Sequence, residues 1–500
     1  MANPSLQIGN SKWAIKEDNL LGYSTAGTRF LPIPITMTRA SAGTRVNPQG
    51  LVETVELLGS ELIPSIATIS NGSSTGTSEI VQISGNSYST ESDGTNTSTI
   101  RPKFDLATTS GKGYKLTITP TGSITGTIAC KFYDGSSYLF TDYDFSTVKE
   151  IYFTDNGSVN LSFNGQNTFS VSGFTLSVKE STKNDLARVD YTGSTSSLLA
   201  EPQRTNLVTD SVDIDTYFTN QVDAIVTNDY GTSPTGENNS TRVQWADSTS
   251  FIYRAESVST DTSASIFVKG ISGETVMFGF GGNVTTGTVY TFDGSWQRII
   301  FTGSTGTTIF LSSYFGATAT DFEVFGLQLE VGSYATSYIP TSGSTVTRVK
   351  DQYTKTGISD KINSEEGVLF VEMAALSNDT SFRAMSISDG TTSNRITLVY
   401  NGGIRAFNVV AGSVSSAINY STTITTAQKI AIVWSSTSFA LWVNGSEISS
   451  QSGISIPSST LNKLSLDQGN GNNNMFAKVN QLKLYKEALS NSELIALTTI

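Results

Sequence analysis

The sequence contains no histidine and a single cysteine, Cys130, among its 500 residues. The missing histidines exclude Ser-His-Asp and Cys-His catalysis, and they exclude zinc sites that are built on imidazole. One cysteine cannot form an internal disulfide, so a fold held together by disulfides is excluded as well. An enzyme of this composition would have to use paired carboxylates, or a lysine or tyrosine as acid or base.

Charge and long apolar runs are also scarce. Only 15% of the residues are Asp, Glu, Lys or Arg, and the formal net charge is −12. This balance argues against nucleic acid as a partner, because phosphate binding requires clustered lysines and arginines, and against an anionic membrane surface. No segment approaches the roughly 18 apolar residues of a membrane span, and the first residues lack the apolar run of a signal peptide. We therefore expect a protein that is assembled in a cytoplasm.

Serine, threonine, glycine and asparagine supply the polar bulk of the chain. Strand-like segments with alternating or continuous apolar residues recur at roughly 8–12 residue spacing, which is typical of β-sandwiches. Examples are YKLTITP at 114–120, FEVFGLQLE at 322–330 and SFALWVNG at 438–445. The pattern predicts an all-β fold. Only in the last residues does the spacing of apolar residues change from that of a strand to that of a helix. There, Ser490 and Glu493 form a capping-box signature before a short helix.

The strand-rich blocks divide the chain into five predicted segments. The first is marked by Pro32 and Pro34, which force extended backbone and remove hydrogen-bond donors. The predicted segments are an extended N-terminal arm at 1–60, a β-sandwich at 61–184, a linker or clasp at 185–210, a second sandwich at 211–345 and a third at 346–500.

Three stretches of the sequence resemble segments of phage virion proteins. They are TRASAGTRVNPQGLVETV at 38–55, ARVDYTGSTSSLLAEPQRTNLV at 187–208 and GLQLEVGSYATSYIPTSGSTVTRVKD at 326–351. In that group the first two lie close together, and a carbohydrate-binding-like jelly roll follows them. Here about 130 residues separate the two stretches, so the resemblance implies that the sandwich at 61–184 is an insertion.

Both ends of the chain carry further resemblances. The opening PSLQIGNSKWAIKEDNLLGY is similar to virion proteins of phages from Bacteroidetes-type and marine hosts, including crAss-like phages. The C-terminal stretches IAIVWSSTSFALWVNG and KVNQLKLYKEALSNSELIAL resemble concanavalin A-like, laminin-G-type domains. Together the resemblances imply serial β-sandwiches, two of them jelly-roll-like and one concanavalin A-like, behind an extended N-terminal arm.

The resemblance implies a structural protein on the virion surface. The leading function is a head fibre or capsid decoration protein with weak adhesion to host glycans. A tail fibre that recognises host surface polysaccharide is the alternative, and a polysaccharide hydrolase is a third. The arm at 1–60 is expected to bind capsid, portal, collar or tail proteins, and the chain to form a homotrimer or homodimer.

The hydrolase reading is disfavoured by the positions of the carboxylates. Hydrolases with a concanavalin-like fold use two carboxylates that share one face of a strand. The best such pair is Asp321 and Glu323, which lies in the jelly-roll block and not in the C-terminal block. We therefore expect no catalytic residues.

Glycan binding requires exposed aromatic rings beside polar hydrogen-bonding groups. Tyr314, Phe315, Tyr400 and Tyr420 lie near the ends of predicted strands and are the candidates for such contacts. The alternative is that these four rings belong to the cores of the sandwiches.

No cofactor is expected, although a structural calcium is possible. Asp321, Glu323 and Glu330 surround a strand end and could supply hard oxygen ligands. A second candidate is Asp467 in the loop DQGNGNNN at 467–474, for which the alternative is a plain polar turn.

Four arginines fall inside the stretches that resemble phage proteins: Arg39, Arg45, Arg188 and Arg204. We hypothesise that they form salt bridges or bidentate backbone contacts that fix the clasp at 185–210. The alternative is solvated surface charge.

Overall fold

The computed structural model describes the chain except for residues 1, 10–12, 17–19, 26–28, 33–34, 63, 68–77, 94–102, 127–128, 135, 143–146, 158, 165–167, 194, 304 and 454. Strands make up 53% of the chain and helices 3%, which confirms the predicted all-β class. The chain forms two compact units. One comprises Met1–Val55 together with Asn184–Ile500, and the other comprises Glu56–Lys183.

Short strands dominate the first 55 residues. β2, β3 and β4 form one antiparallel sheet, and β6 and β7 form a hairpin whose turn is closed by Asn47, as its Oδ1 accepts the backbone N–H of Leu51. The sequence Asn-Pro-Gln-Gly at 47–50 forms this turn. The strands are β1 (Leu6–Gly9), β2 (Trp13–Lys16), β3 (Leu20–Thr25), β4 (Arg29–Pro32), β5 (Thr36–Thr38), β6 (Thr44–Val46) and β7 (Val52–Thr54).

The unit Glu56–Lys183 contains one seven-stranded and one five-stranded antiparallel sheet. The strands are β8 (Leu57–Leu62), β9 (Ser65–Ala67), β10 (Ser78–Ser84), β11 (Ser87–Asp93), β12 (Lys103–Asp105), β13 (Gly113–Pro120), β14 (Ile124–Gly126), β15 (Ala129–Tyr133), β16 (Tyr138–Asp142), β17 (Lys149–Thr154), β18 (Asn160–Asn164) and β19 (Thr168–Thr182). The larger sheet has the order β10-β11-β19-β13-β17, with β8 and β14 also paired to β19, and the smaller one has the order β16-β15-β18-β12-β9. Alternate residues of β13 enter the core with Phe132, Leu161 and Phe174.

Residues 211–345 form a sandwich of two five-stranded sheets with a common core that includes Ile252, Leu311 and Val324. The sheet orders are β23-β26-β31-β28-β29 and β24-β25-β32-β27-β30. The elements from residue 188 onward are β20 (Arg188–Thr192), β21 (Thr195–Ala200), β22 (Arg204–Asn206), α1 (Ile214–Tyr217), β23 (Asn220–Val222), β24 (Ala224–Thr227), β25 (Thr241–Trp245), β26 (Phe251–Val258), β27 (Thr262–Lys269), β28 (Thr275–Gly281), β29 (Thr288–Thr291), β30 (Gln297–Gly303), β31 (Gly306–Ser312) and β32 (Asp321–Val331).

The C-terminal sandwich has an eight-stranded and a seven-stranded sheet. β33 (Val346–Arg348) precedes it and pairs with β22. The elements that follow are β34 (Gln352–Lys355), β35 (Gly367–Ala375), β36 (Arg383–Ser388), β37 (Arg395–Tyr400), β38 (Ile404–Val410), β39 (Ser413–Tyr420), β40 (Gln428–Trp434), β41 (Ser438–Val443), β42 (Ser446–Ser452), β43 (Lys463–Ser465), β44 (Ala477–Tyr485) and α2 (Asn491–Thr498). The larger sheet has the order β20-β21-β44-β35-β40-β41-β42, with β1 also on β44, and the smaller one the order β39-β38-β37-β36-β43-β34-β5.

The structure corrects the predicted separation of the segments 1–60 and 185–210 from this sandwich. β1 pairs with β44, β5 pairs with β34, and β21 pairs with the other half of the same edge of β44. The reason is burial, because Ile8, Met37 and Val189 enter the core of the C-terminal sandwich. β1 and β5 are therefore edge strands of that sandwich and not parts of a free arm.

Helix α2 begins where the capping-box signature predicts it. The backbone N–H of Ser490 donates to the Glu493 carboxylate at 3.1 Å. Leu494 and Leu497 pack on the outer face of the eight-stranded sheet against Phe370 and Trp442. Neither helix in the described part of the chain is long and apolar enough to cross a membrane.

Candidate glycan-binding site

Four aromatic rings lie together on the outer face of the jelly-roll sheet that contains β26 and β31. We call Phe251, Tyr253, Tyr314 and Phe315 the aromatic platform. Phe251 and Tyr253 alternate along β26 with Ile252, which is buried in the core, so the two rings point away from that core. Tyr314 and Phe315 follow directly after the end of β31.

The rings of the platform form a continuous strip. The centroids of Phe251 and Tyr253 lie 5.8 Å apart, and those of Phe251 and Tyr314 lie 6.0 Å apart in a stacked arrangement. Phe315 continues the strip at 6.5 Å from Tyr314 and is 71% exposed. An exposed apolar surface of this kind, bordered by polar groups, is typical of a binding site.

The backbone holds Phe315 in an unusual conformation. Its φ angle is +56°, in the left-handed region that a bulky L-residue seldom adopts. The loop before it is fixed, because the Ser313 hydroxyl donates to the backbone carbonyl groups of Asp247 and Ser250, both at 3.0 Å. The loop that carries the exposed ring is therefore anchored next to it, and the left-handed backbone reduces the stability of the fold.

Polar groups border the platform. The hydroxyl groups of Tyr253 and Tyr314 have no hydrogen-bond partner among the residues that the structure describes. Asn220 lies directly opposite Tyr253 across the β23–β26 ladder, and residues in such a pair share one face of a sheet. The site therefore combines ring faces with free hydrogen-bonding groups, which is the combination that a saccharide requires.

The other predicted aromatic residues do not join this site. Tyr400 is fully buried, its hydroxyl donates to the carbonyl group of Met373 at 3.2 Å, and burial raises its pKa. The prediction of Tyr400 as a glycan contact is thus wrong, because β37 is buried on both faces. Tyr420 is half-buried and packs against the core of the C-terminal sandwich. Phe251 and Tyr253 were missed, although their alternation in FIYR could have indicated them.

Two of the predicted calcium ligands are engaged by cationic side chains. The Nε of Arg242 donates to Asp321 at 2.8 Å, and this contact lowers the pKa of the Asp321 carboxyl. Lys269 lies 3.0 Å from Glu323, which also accepts the hydroxyl of Ser240 at 2.6 Å. Both carboxylates are therefore already paired with cationic side chains of the same jelly roll.

The remaining two acidic candidates are bound by neutral donors. Buried Glu330 accepts the backbone N–H and the hydroxyl of Thr336 at 2.9 and 2.5 Å, and Asp467 accepts the backbone N–H of Gly469 at 2.5 Å.

The predicted calcium cluster does not form. Glu323 and Glu330 stand seven residues apart on β32, roughly 23 Å along an extended strand. Among the described residues there is no group of three or more His, Cys, Asp or Glu that could hold a metal ion.

A second cluster is buried where the jelly roll meets the C-terminal sandwich. We call Arg39, Arg188, Glu201, Arg348 and Asp351 the arginine junction. Their exposed fractions lie between 0 and 3%. Arg39 pairs with Asp351 at 2.8 Å, and Glu201 pairs with Arg188 at 2.7 Å and with Arg348 at 2.8 Å, while Arg188 also pairs with Asp351.

Neutral groups add further hydrogen bonds to the arginine junction. Glu201 accepts the backbone N–H and the hydroxyl of Ser337 at 2.8 and 2.7 Å, and Arg188 donates to the carbonyl group of Thr44 at 3.1 Å. Burial raises the pKa of Glu201, but the charges of Arg348 and Arg188 outweigh this effect and hold the pKa well below its usual range. Glu201 is therefore ionised at neutral pH.

The three sequence stretches 38–55, 187–208 and 326–351 meet in this junction. Arg39 comes from 38–55, Arg188 and Glu201 come from 187–208, and Arg348 and Asp351 come from 326–351.

The other two predicted clasp residues lie outside the arginine junction. Arg45 pairs with Glu53 across the β6–β7 hairpin at 2.6 Å, and Arg204 lies 3.9 Å from Glu330. Sequence reasoning missed Glu201, Arg348 and Asp351, although all three lie inside the stretches quoted above.

Comparison with known proteins identifies no family. No family model and no curated protein matches the chain. Among solved structures, the CBM40 module of a Ruminococcus gnavus IT-sialidase, bound to α2,3-sialyllactose, shows 15% identity, a TM-score of 0.24 and coverage of 27% of this chain and 83% of its own. Domain 4 of the Geobacillus stearothermophilus arabinanase AbnA, in complex with arabinotriose, shows 14% identity, a TM-score of 0.25 and coverage of 34% and 84%. At these scores, the likeness gives no evidence about a ligand or an activity of this chain.

Proposed function

We propose that this chain is a non-enzymatic structural protein of a phage particle, a head fibre or decoration protein, that adheres weakly to glycans through the aromatic platform. The observation that carries the adhesive part is the 71% exposed ring of Phe315 at the end of a four-ring strip. The virion part is supported by the resemblance of 38–55, 187–208 and 326–351 to phage proteins.

The geometry favours low affinity for a single site. The platform is an outward-facing strip and not an enclosed pocket, so one pyranose ring would bury only one of its faces. Stacking on one aromatic ring contributes about 1 kcal/mol beyond the buried area. Many copies on one particle would turn such contacts into useful adhesion, since linked weak sites gain avidity without new contacts.

Glycan binding is tested with the full chain on a glycan array, followed by calorimetry on the strongest saccharide. We expect Phe315→Ala and Tyr314→Ala each to weaken binding roughly fivefold, which corresponds to about 1 kcal/mol. Tyr230→Ala is the matched control, because Tyr230 is 49% exposed on a loop of the other jelly-roll sheet. Equal losses in all three variants, or no signal on any glycan, would contradict an adhesive role for the platform.

The structural role is tested on purified particles that carry an affinity-tagged chain. Labelled antibody and electron microscopy would locate the tag on the head, which is the expected result, or on the tail, which would favour the alternative of a receptor-binding fibre. Absence of the chain from intact particles would refute both. Light scattering on the purified chain is expected to give a trimer or dimer, and a monomer at micromolar concentration would contradict the predicted assembly.

The absence of catalysis is tested by release of reducing ends from host polysaccharide. Asp321 and Glu323 are both paired with basic side chains, which is unsuited to a general acid that must hold a proton. We expect no release above background. Release that Glu323→Gln abolishes would overturn the proposal.

A further inference from the structure

A polar cleft of about 630 Å³ opens between the jelly roll and the C-terminal sandwich. Its volume lies within the roughly 300–1,000 Å³ that is typical of ligand sites. One side carries Tyr334, which follows β32, and the other carries Phe382 and Phe476, which precede β36 and β44. All three rings are half-buried, so each keeps part of its surface free for a ligand.

Two cationic side chains on the wall of the cleft, Arg204 and Lys350, are not fully neutralised by carboxylates. Arg204 lies 3.9 Å from Glu330, but that carboxylate is already bound by Thr336 and Gln328. The Nε of Arg204 has no hydrogen-bond partner among the described residues, and its Nη1 donates only to the neighbouring carbonyl group of Gln203 at 3.1 Å.

Lys350 is the second cation. Its Nζ donates to the side-chain oxygen of Asn474 at 2.9 Å and to the carbonyl group of Gly471 at 3.5 Å, and both acceptors are neutral. No carboxylate lies within 4.0 Å of it in the described part of the chain. Asn474 is 5% exposed, and its amide nitrogen has no partner among the described residues.

The remaining charges of the cleft do not neutralise this pair. Arg383 and Asp379 are bound to each other, and Asp261 is exposed at the rim. Tyr334 stacks with the guanidinium of Arg204 at 5.3 Å, and burial raises its pKa to about 12, so its hydroxyl is a neutral donor at physiological pH. The cleft thus combines two cations with three partly free rings and a neutral hydroxyl.

We propose that this cleft is a second binding site, specific for a carboxylated saccharide. Arg204 and Lys350 would hold the sugar carboxylate, because guanidinium and ammonium groups bind carboxylates by charge-assisted hydrogen bonds. Tyr334 and Phe382 would pack against the ring faces. The site is separate from the aromatic platform, so it holds or fails independently of the function proposed above.

The test is calorimetry of the full chain with trigalacturonate and with trimannuronate, each compared with its methyl ester. We expect at least one acid to bind roughly tenfold or more tightly than its ester, and added salt to weaken that binding. Equal affinity for acid and ester, or no binding of either acid, would overturn the proposal.

Variants separate this cleft from the platform. Lys350→Gln keeps a donor for Asn474 but removes the charge, and it is expected to weaken uronate binding roughly tenfold. Arg204→Gln should act in the same direction, and thermal unfolding shows whether either variant remains folded. Arg242→Gln is the control, because Arg242 is a half-buried jelly-roll arginine outside the cleft. Unchanged uronate binding in Lys350→Gln, or an equal loss in Arg242→Gln, would refute the assignment.

Discussion

The arginine junction and the aromatic platform depart in opposite ways from the usual distribution of side chains. The junction buries three guanidinium groups and two carboxylates, whereas the platform exposes the ring of Phe315 to solvent. Buried ion pairs are a poor source of net stability, because desolvation of the charges offsets their attraction. We infer that these pairs instead specify the arrangement of the chain, since the charges are paired only when three distant segments meet. The platform instead leaves apolar area unburied, which stabilises nothing within the chain and is available to a ligand.

The largest expected effect comes from removing one carboxylate of the junction. Asp351→Asn leaves Arg39 and Arg188 without one of their anions in a buried site, and we expect a loss of about 3–5 kcal/mol in the free energy of unfolding. All five tryptophans lie outside residues 56–183, so tryptophan fluorescence in a denaturant titration follows only the unit that contains the junction. A loss below about 1 kcal/mol would show that the junction is not energetically coupled.

The pH dependence of stability is the next test. The folded pKa of Glu201 lies below its unfolded value, so its contribution is present above the unfolded pKa of about 4.3 and is lost as the pH falls through the folded pKa. We expect the free energy of unfolding to fall by about 1.4 kcal/mol per pH unit below pH ~4.3 from this residue alone. Urea titrations followed by tryptophan fluorescence measure it. In Glu201→Gln this part of the slope should vanish, and an unchanged slope would contradict the assignment.

On the platform, stability and binding should change in opposite directions. Phe315→Gly relieves the left-handed backbone strain, and we expect it to raise the free energy of unfolding by up to about 1 kcal/mol while glycan binding decreases. Phe315→Ala keeps the strained backbone and should lose binding without this gain. A destabilised Phe315→Gly protein would show that the ring contributes to packing, and the contrast with the junction would then disappear.

The smallest effect is expected at an ion pair outside the junction. Asp321 pairs with Arg242 where the two side chains are 44% and 28% exposed. Asp321→Asn should therefore change the free energy of unfolding by less than about 1 kcal/mol, and added salt should reduce the effect further. The same denaturant titration provides the comparison with Asp351→Asn. Equal losses in the two variants would show that burial does not set the cost.

Local sequence patterns predicted the individual strands and the C-terminal helix better than they predicted which strands pair with one another. Alternation in YKLTITP and the capping box at Ser490 depend on neighbouring residues, and both correspond to the observed β13 and α2. The pairing of Leu6–Gly9 with a strand that ends at Tyr485 depends on residues at the two ends of the chain. A short edge strand carries too little pattern to specify a partner at that separation, which is why the first segment was predicted as a separate arm.

Local sequence patterns were also insufficient to predict which residues form the candidate sites. Tyr314 and Tyr400 both lie near the end of a predicted strand, and no local feature distinguishes them. Tyr400 is buried because other strands and loops cover both faces of β37, whereas Tyr314 follows a strand with one open face. Arg39 and Arg188 were predicted as clasp residues because they lie in the stretches 38–55 and 187–208. Arg348 and the carboxylate partners Glu201 and Asp351 became visible only when the fold joined these stretches to 326–351.

The unit Glu56–Lys183 enters and leaves through adjacent strands. Leu57 on β8 lies opposite Thr182 on β19 in an antiparallel ladder, so the two ends of the unit emerge side by side. Because its two ends lie side by side, such a unit spans the same short distance between the flanking parts of the chain, whatever its own length or internal structure. We therefore expect that this segment can be replaced without changing the strands that surround the arginine junction.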